Sequence, residues 1–147
     1  MKTSMRRALA VMSATVAVVA GTLAVTTQSA QAAVSCHTFS KKTGGGLDGK
    51  TYLMMCENQH FVQSFHASHE NTGGHSHTGK ILIADNHNQQ KSSANMTIRP
   101  DEEKQLDWTI NQDWQSGHRV CAVWVISNGT KTNHVCGKMS DIGFLED

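Results

Sequence analysis

Hydrophobic and polar residues alternate with period two along most of the chain beyond residue 32, and apolar residues never recur at helical spacing for long enough to build a helix. Residues 104–111 show it best, with Leu106, Trp108 and Ile110 on one side and Gln105, Asp107 and Thr109 on the other. Residues 93–99 repeat it with Ala94, Met96 and Ile98. Residues 36–40, 51–57, 60–67 and 80–84 read as further strands, and Phe61 and Phe65 are expected on one face of the third of these. Residues 68–79 and 85–92 read as polar loops, residues 100–103 as a turn, and Ile142, Phe144 and Leu145 as a last edge strand. Seven or eight short strands with turns every eight to twelve residues predict an all-β fold. The expected architecture is a small antiparallel β-sandwich, Ig-like in plan, with a small barrel as the alternative. An antibody-type domain is not expected, because the favoured disulfides are local rather than between sheets and no tyrosine corner is visible, Tyr52 being the only tyrosine.

The stretch from Val120 to Cys136 carries the strongest local signal. Two β-rich runs flank Asn128-Gly129, the dipeptide most typical of a two-residue hairpin turn. Such a turn sets Cys121 opposite Cys136, so turn chemistry and cysteine spacing propose one register and a cross-strand disulfide. That register is a hydrogen-bonded pair, with Cα atoms about 5.5 Å apart unless a bulge shifts the pairing. Cys36 and Cys56 are centred on Gly46, inside the glycine-rich stretch from Gly44 to Gly49, and predict a second bridged hairpin. Four cysteines allow three connectivities, and this local one is preferred.

Val120 to Ile126 is apolar at every position. Ala122, Trp124 and Ile126 share one face, and Val123 and Val125 share the face of the disulfide. Two readings stay open. The strand is central with its outer side covered by a loop or the tail, or it presents a patch around Trp124 and Ile126 to another protein. Trp114, in the turn at residues 111–117, is a second candidate contact for a partner or a sugar ring.

The first 32 residues change the compartment. Lys2, Arg6 and Arg7 precede an apolar run at residues 8–25, and Ala30-Gln31-Ala32 forms a small-residue cleavage site. This is the pattern of a secretory signal peptide, so the expected products are a cleaved segment, 1–32, and one secreted extracellular domain, 33–147. No second apolar stretch is long enough to leave a membrane span. The chain has 13 bases and 12 acids; all the acids but only ten of the bases fall after residue 32, a formal charge of −2 there. That balance argues against nucleic acid as a partner. An exported chain with four cysteines fits two stabilising bridges.

Catalytic motifs are scarce. Residues 44–51 match the phosphate-loop pattern G-x-x-x-x-G-K-[ST], but a strand is expected where that motif needs a helix, so the match reads as a hairpin loop. No G-x-S-x-G elbow occurs, and Glu102-Glu103 reads as a solvated turn. The histidines are the sharper signal. Four of the nine fall in one short segment, as His66, His69, His75 and His77. In an extended segment His75 and His77 share a face, a common way to place two imidazoles on Zn or Cu, with His66 and His69 completing the set and Glu70, Asp85 or His87 near in sequence. The alternative is a polar loop that merely tolerates histidine. The zinc-protease pattern H-E-x-x-H fails, because Gly73 stands where its second histidine belongs.

In plan alone the chain resembles small secreted β-domain proteins such as ligand-carrying chromoprotein sandwiches, protease inhibitors and small subunits of secreted toxin assemblies; no motif carries the resemblance. The leading expectation is a secreted, non-enzymatic binding or adaptor domain that recognises a protein partner, as a small subunit of an extracellular assembly or alone. The alternatives are an extracellular Zn- or Cu-binding protein, and a small secreted inhibitor, hydrolase or toxin.

Overall fold

A computed structural model describes residues 33–147. The expected signal peptide, 1–32, lies outside the described residues. Ten strands run in order: β1 (Ser35–Gly44), β2 (Leu47–Asn58), β3 (Phe61–Asn71), β4 (His77–Asp85), β5 (Gln90–Ser92), β6 (Met96–Ile98), β7 (Glu103–Asp113), β8 (Arg119–Ile126), β9 (Val135–Ser140) and β10 (Gly143–Glu146). There is no helix among the described residues. One sheet has the order β1-β2-β3-β7, the other β10-β9-β8-β4-β5, with β6 also paired to β4. Every pairing is antiparallel. The fold is therefore the expected all-β sandwich, with ten strands rather than seven or eight. β6 is the strand expected at residues 93–99, shortened and paired with His77–Gly79, whereas β5 lies where residues 85–92 were expected to be loop and pairs with Leu82–Ala84, so two fragments together flank β4.

Leu53 and Met55 of β2, with Phe65 and Ala67 of β3, are wholly buried against Ile81, Ile83, Ala122 and Trp124 of the second sheet. Leu106, Trp108 and Ile110 face this core from the edge strand β7 and are partly buried, as their alternation predicts.

The polar loop expected at residues 68–79 is mostly strand. β3 continues to Asn71 and β4 begins at His77, leaving only residues 72–76 between them. The alternation does continue there, but its inward positions are His69 and Asn71, both buried and both polar. Asn71 closes the short loop through Nδ2 to the His75 carbonyl (2.9 Å), while its Oδ1 accepts from Gly73 N–H (3.0 Å). Phe61 and Phe65 do not share the core face. Cys56 pairs with Ser64 but Glu57 with Val62, so Gln63 is an extra residue that reverses the facing. Phe65 is 0% exposed, Phe61 39%, and Val62 takes the inward place.

Both disulfides form as expected, Cys36–Cys56 and Cys121–Cys136. The β1–β2 hairpin turns through Gly45 and Gly46, both at positive φ (65° and 81°), the backbone of a type I′ turn. Thr51 lies inside β2, so the phosphate-loop match is a hairpin loop.

The second hairpin reaches the expected register by another route. Its loop has three residues, not two. Ile126 N–H bonds to Thr130 O (2.8 Å), Gly129 N–H to Ile126 O (2.8 Å), and Gly129 sits at φ 88°. Val125 then opposes Lys131, and Thr132 N–H reaches Trp124 O (3.0 Å). Further down, Ala122 pairs with Val135. Asn133 and His134 together therefore face Val123, a bulge that restores the offset. It also changes the phase of the ladder. The cysteine Cα atoms are 4.1 Å apart, near the close spacing of a non-hydrogen-bonded pair and not the 5.5 Å of the register expected from a two-residue turn.

Gly79 shows how closely the sheet is built around Trp124. A Cβ there would lie 2.4 Å from Val125 O and 2.7 Å from Trp124 Cε2, whereas one at Gly74 would meet nothing within 4 Å. Gly79→Ala should destabilise the fold by about 1–3 kcal/mol through overpacking, and Gly74→Ala should change stability by under ~0.5 kcal/mol. Urea unfolding of the two variants checks this; equal midpoints would refute the packing account.

Candidate functional site

Three places on the molecule gather chemistry-bearing side chains. The first is the buried end of β3 and β4. His69, inward on β3 and 0% exposed, stacks on Trp124 with centroids 4.4 Å apart and planes at 19°. His77 meets the same indole edge-on at 5.5 Å, and the two Nε2 atoms are 3.0 Å apart, a hydrogen bond in which one ring donates and the other accepts. His69 Nδ1 lies 3.4 Å from the Thr43 hydroxyl and 3.3 Å from that of Thr51. Burial, then the neighbouring His77, holds the His69 pKa down at about 4; burial also lowers that of His77. A hydroxyl beside an imidazole has the outline of a nucleophile and its base. Here Thr43, Thr51 and His69 are all 0% exposed, which closes the contact to a substrate.

The four histidines expected to share a metal are divided by this arrangement. His69 and His77 come together. His66 has the opposite parity on β3 and pairs with Asp107 of β7 on the outer face. His75 is exposed in the loop and meets Asn71 through its carbonyl. Among the described residues, no three His, Cys, Asp or Glu side chains are placed to hold a metal ion.

The second cluster lies at the other end of β4, roughly 26 Å along the strand. Asp85 Oδ2 is 3.1 Å from His118 Nε2, and its Oδ1 accepts from the backbone N–H groups of His87 (2.9 Å) and Gln89 (2.7 Å). His118 stacks flat on Trp114, at 3.6 Å and 5°, and His87 lies over its other side at 3.8 Å. Burial lowers the His118 pKa in spite of the Asp85 hydrogen bond. Asp85 and His87, named from sequence as neighbours of the first cluster, thus belong to this one.

The tryptophans are not a surface. Trp124 is 0% exposed and Trp114 1%, each with an indole N–H that has no hydrogen-bond partner among the described residues, and Ile126 is half-buried. The patch expected around Trp124 is corrected accordingly: that face of β8 is the core face, and Trp114 closes one end of the core against Phe65 and Phe144. The disulfide face of β8 is the other one, and it too is largely covered, with Val123 2% and Val125 7% exposed.

The third place is a groove over that face. Val123, the Cys121–Cys136 bridge, Leu82 and Ala84 line a cleft of about 300 Å³, together with Arg119, Lys131, His134, Asp85 and Asn86. It adjoins a cleft of about 640 Å³ bounded by Lys41, Lys42, Arg119 and His134. Desolvation, then the charges of Lys131, Arg119 and Lys41, lowers the His134 pKa, which reports a positive local field. Arg119 Nε pairs with the carboxylate of Asp147, so the chain's acidic end already occupies one of these cations. Lys41 and Lys42 come from the opposite sheet. They are brought in by the bulge, where Asn133 N–H bonds to Thr43 O (2.7 Å) and Asn133 Nδ2 to Lys42 O (3.1 Å). No sequence pattern links residues so far apart, and these cations carry no signal of their own in the sequence.

No protein-family model matches the chain, and no curated protein matches it significantly.

The buried histidines set the acid limit of the fold. A neutral imidazole with a lowered pKa takes up its proton in the unfolded chain first, so stability is complete above pH 6.5 and falls as the pH drops toward 4. His69 alone should account for about 3 kcal/mol across that window. Urea unfolding at a series of pH values should show a falling midpoint, and His69→Gln, less stable at pH 7, should show a shallower fall. A midpoint that is level from pH 7 to 4 would exclude a buried neutral His69.

Proposed function

We propose that this chain is a secreted, non-enzymatic binding domain that recognises another protein through the outward groove of the six-stranded sheet. The observation that carries the reading is the composition of that groove: half-buried Leu82, Ala84 and Cys121 over a buried Val123, rimmed by Lys41, Lys42, Arg119, Lys131 and His134, with Asp85 the one acid in the lining. An apolar centre with a charged rim is the layout of a protein-recognition surface. The sign of the rim selects an acidic partner segment that also carries apolar side chains. The two disulfides are consistent with an extracellular setting, and no helix among the described residues is long and apolar enough to cross a membrane. The contact moves from the core face of β8, where Trp124 is sealed, to its other face.

Size-exclusion chromatography with mass spectrometry of the native protein from its own culture medium tests this. The protein should elute with a second chain. The double variant Lys41→Glu/Lys131→Glu alters only exposed side chains and should keep the fold. It should weaken the association at least ~10-fold, with the wild-type complex also weakening as salt is raised. Elution of the wild type alone at its own mass would sink the reading, as would a double variant that binds undiminished.

A further inference from the structure

His69 of one sheet and His77 of the other face each other with their Nε2 atoms 3.0 Å apart, and each ring is also held on its far side. The Lys50 carbonyl accepts a hydrogen bond from His69, whose Nδ1 lies 3.4 Å from the Thr43 hydroxyl and 3.3 Å from that of Thr51. The His75 carbonyl accepts one from His77. With each Nε2 turned to the other ring, these bonds fall to the Nδ1 atoms. A carbonyl only accepts, so both Nδ1 atoms are called on to carry the proton. A neutral imidazole has one N–H, and two rings protonated at Nδ1 meet lone pair against lone pair at Nε2. The hydrogen bond between the rings therefore has a cost, because the ring that donates from Nε2 turns a bare Nδ1 to its carbonyl. An extra proton shared by the pair would satisfy every group, but burial opposes that charge and lowers the pKa of both rings.

A metal ion satisfies all four nitrogens at once. It takes both Nε2 lone pairs and leaves each Nδ1–H on its carbonyl, the arrangement that orients metal-bound histidines in general. Two nitrogens about 2.0–2.1 Å from a tetrahedral zinc lie about 3.3 Å from each other, so the rings need to part by only about 0.3 Å. Both rings are already fixed, His69 on the face of Trp124 and His77 edge-on to it. An indole face also favours the positive charge that loaded imidazoles acquire. Lys104, opposite His69 on β7, has its ammonium paired with Glu102. No third His, Cys, Asp or Glu side chain converges there among the described residues, so the other coordination positions fall to water from the loop side, where residues 74–76 are exposed.

We propose that His69 and His77 bind one divalent transition-metal ion of the zinc and copper class through their Nε2 atoms, clamping β3 of one sheet to β4 of the other. Imidazole suits those ions and not Mg²⁺ or Ca²⁺. The site shares no residue with the cationic groove, and occupation of either leaves the other open.

The test is a titration of the native protein with Zn²⁺ at neutral pH, followed by long-range ¹H–¹⁵N NMR of the imidazole rings and by thermal unfolding. One zinc per chain should move the Nε2 resonances of His69 and His77 together, leave both Nδ1 atoms protonated, and bind more tightly than ~0.1 mM. The thermal midpoint should rise with zinc and fall back when a chelator is added. His77→Gln, at a half-buried position, should weaken binding at least ~10-fold, whereas His66→Ala and His75→Ala should leave it unchanged. Should His77→Gln fail to fold, the ring resonances of the wild type decide alone. Shifts confined to the other histidines, an adventitious ion only, would overturn the proposal. So would binding weaker than ~0.1 mM, an equal response to Mg²⁺, or full affinity in a folded His77→Gln variant.

Discussion

Trp124 is the point at which the two sheets are fitted to each other. It projects from the centre of β8, is fully buried, and stacks on an imidazole from the facing sheet. Its demands reach well beyond its own contacts. Gly79 must lack a side chain for β4 to run beside it. His69 lies against it, and burial, then a second imidazole, His77, delivered by the start of β4, lowers the His69 pKa to about 4. Thr132 caps its backbone, with both N–H and hydroxyl bonding to the Trp124 carbonyl at 3.0 Å. One indole thus fixes the histidine pair, the approach of β4 and the path of the β8–β9 loop.

Much of this was legible in the sequence, and one cause lies behind the misread histidine segment. Period-two alternation identifies strands when inward residues are apolar, as in Leu106-Asp107-Trp108-Thr109-Ile110. It falls silent when the inward residues are polar, and so the end of β3 and the start of β4 look like a histidine-rich loop. His69 and Asn71 hold core positions because packing and local hydrogen bonds satisfy them, an arrangement no hydrophobicity pattern signals. Once residues 66–71 are strand, parity separates His66 from His69, and the four-histidine set divides.

Bulges account for the other differences. One extra residue, Gln63, exposes Phe61 and buries Val62. In the second hairpin a three-residue turn and a bulge at Asn133-His134 displace the register in opposite senses. The cysteines therefore face each other just as a two-residue turn would have them, and the agreement between Asn128-Gly129 and the cysteine spacing came from two compensating departures. Only the 4.1 Å separation of their Cα atoms records that the ladder's phase differs. The choice between the faces of Val120 to Ile126 was open in sequence for a related reason. Both faces are apolar, and the size of Trp124 suits a core as well as it suits an interface.

The irregular stretch is also the one that builds the groove. A regular β8–β9 ladder would leave Asn133 and His134 paired across from the neighbouring strand. As a bulge, Asn133 turns its backbone and its amide to β1 and binds Thr43 and Lys42. That contact is close enough that any side chain at Gly44 would collide with the Asn133 amide, 2.5 Å from a Cβ placed there. The bulge thereby draws Lys41 and Lys42 of one sheet beside Arg119 and Lys131 of the other, across a floor that includes the disulfide. Burial, then the charges of Lys131, Arg119 and Lys41, lowers the His134 pKa, and Asp147 pairs with Arg119. The bulge, a break in an otherwise regular ladder, thus sets the cationic rim on which the proposed partner contact rests.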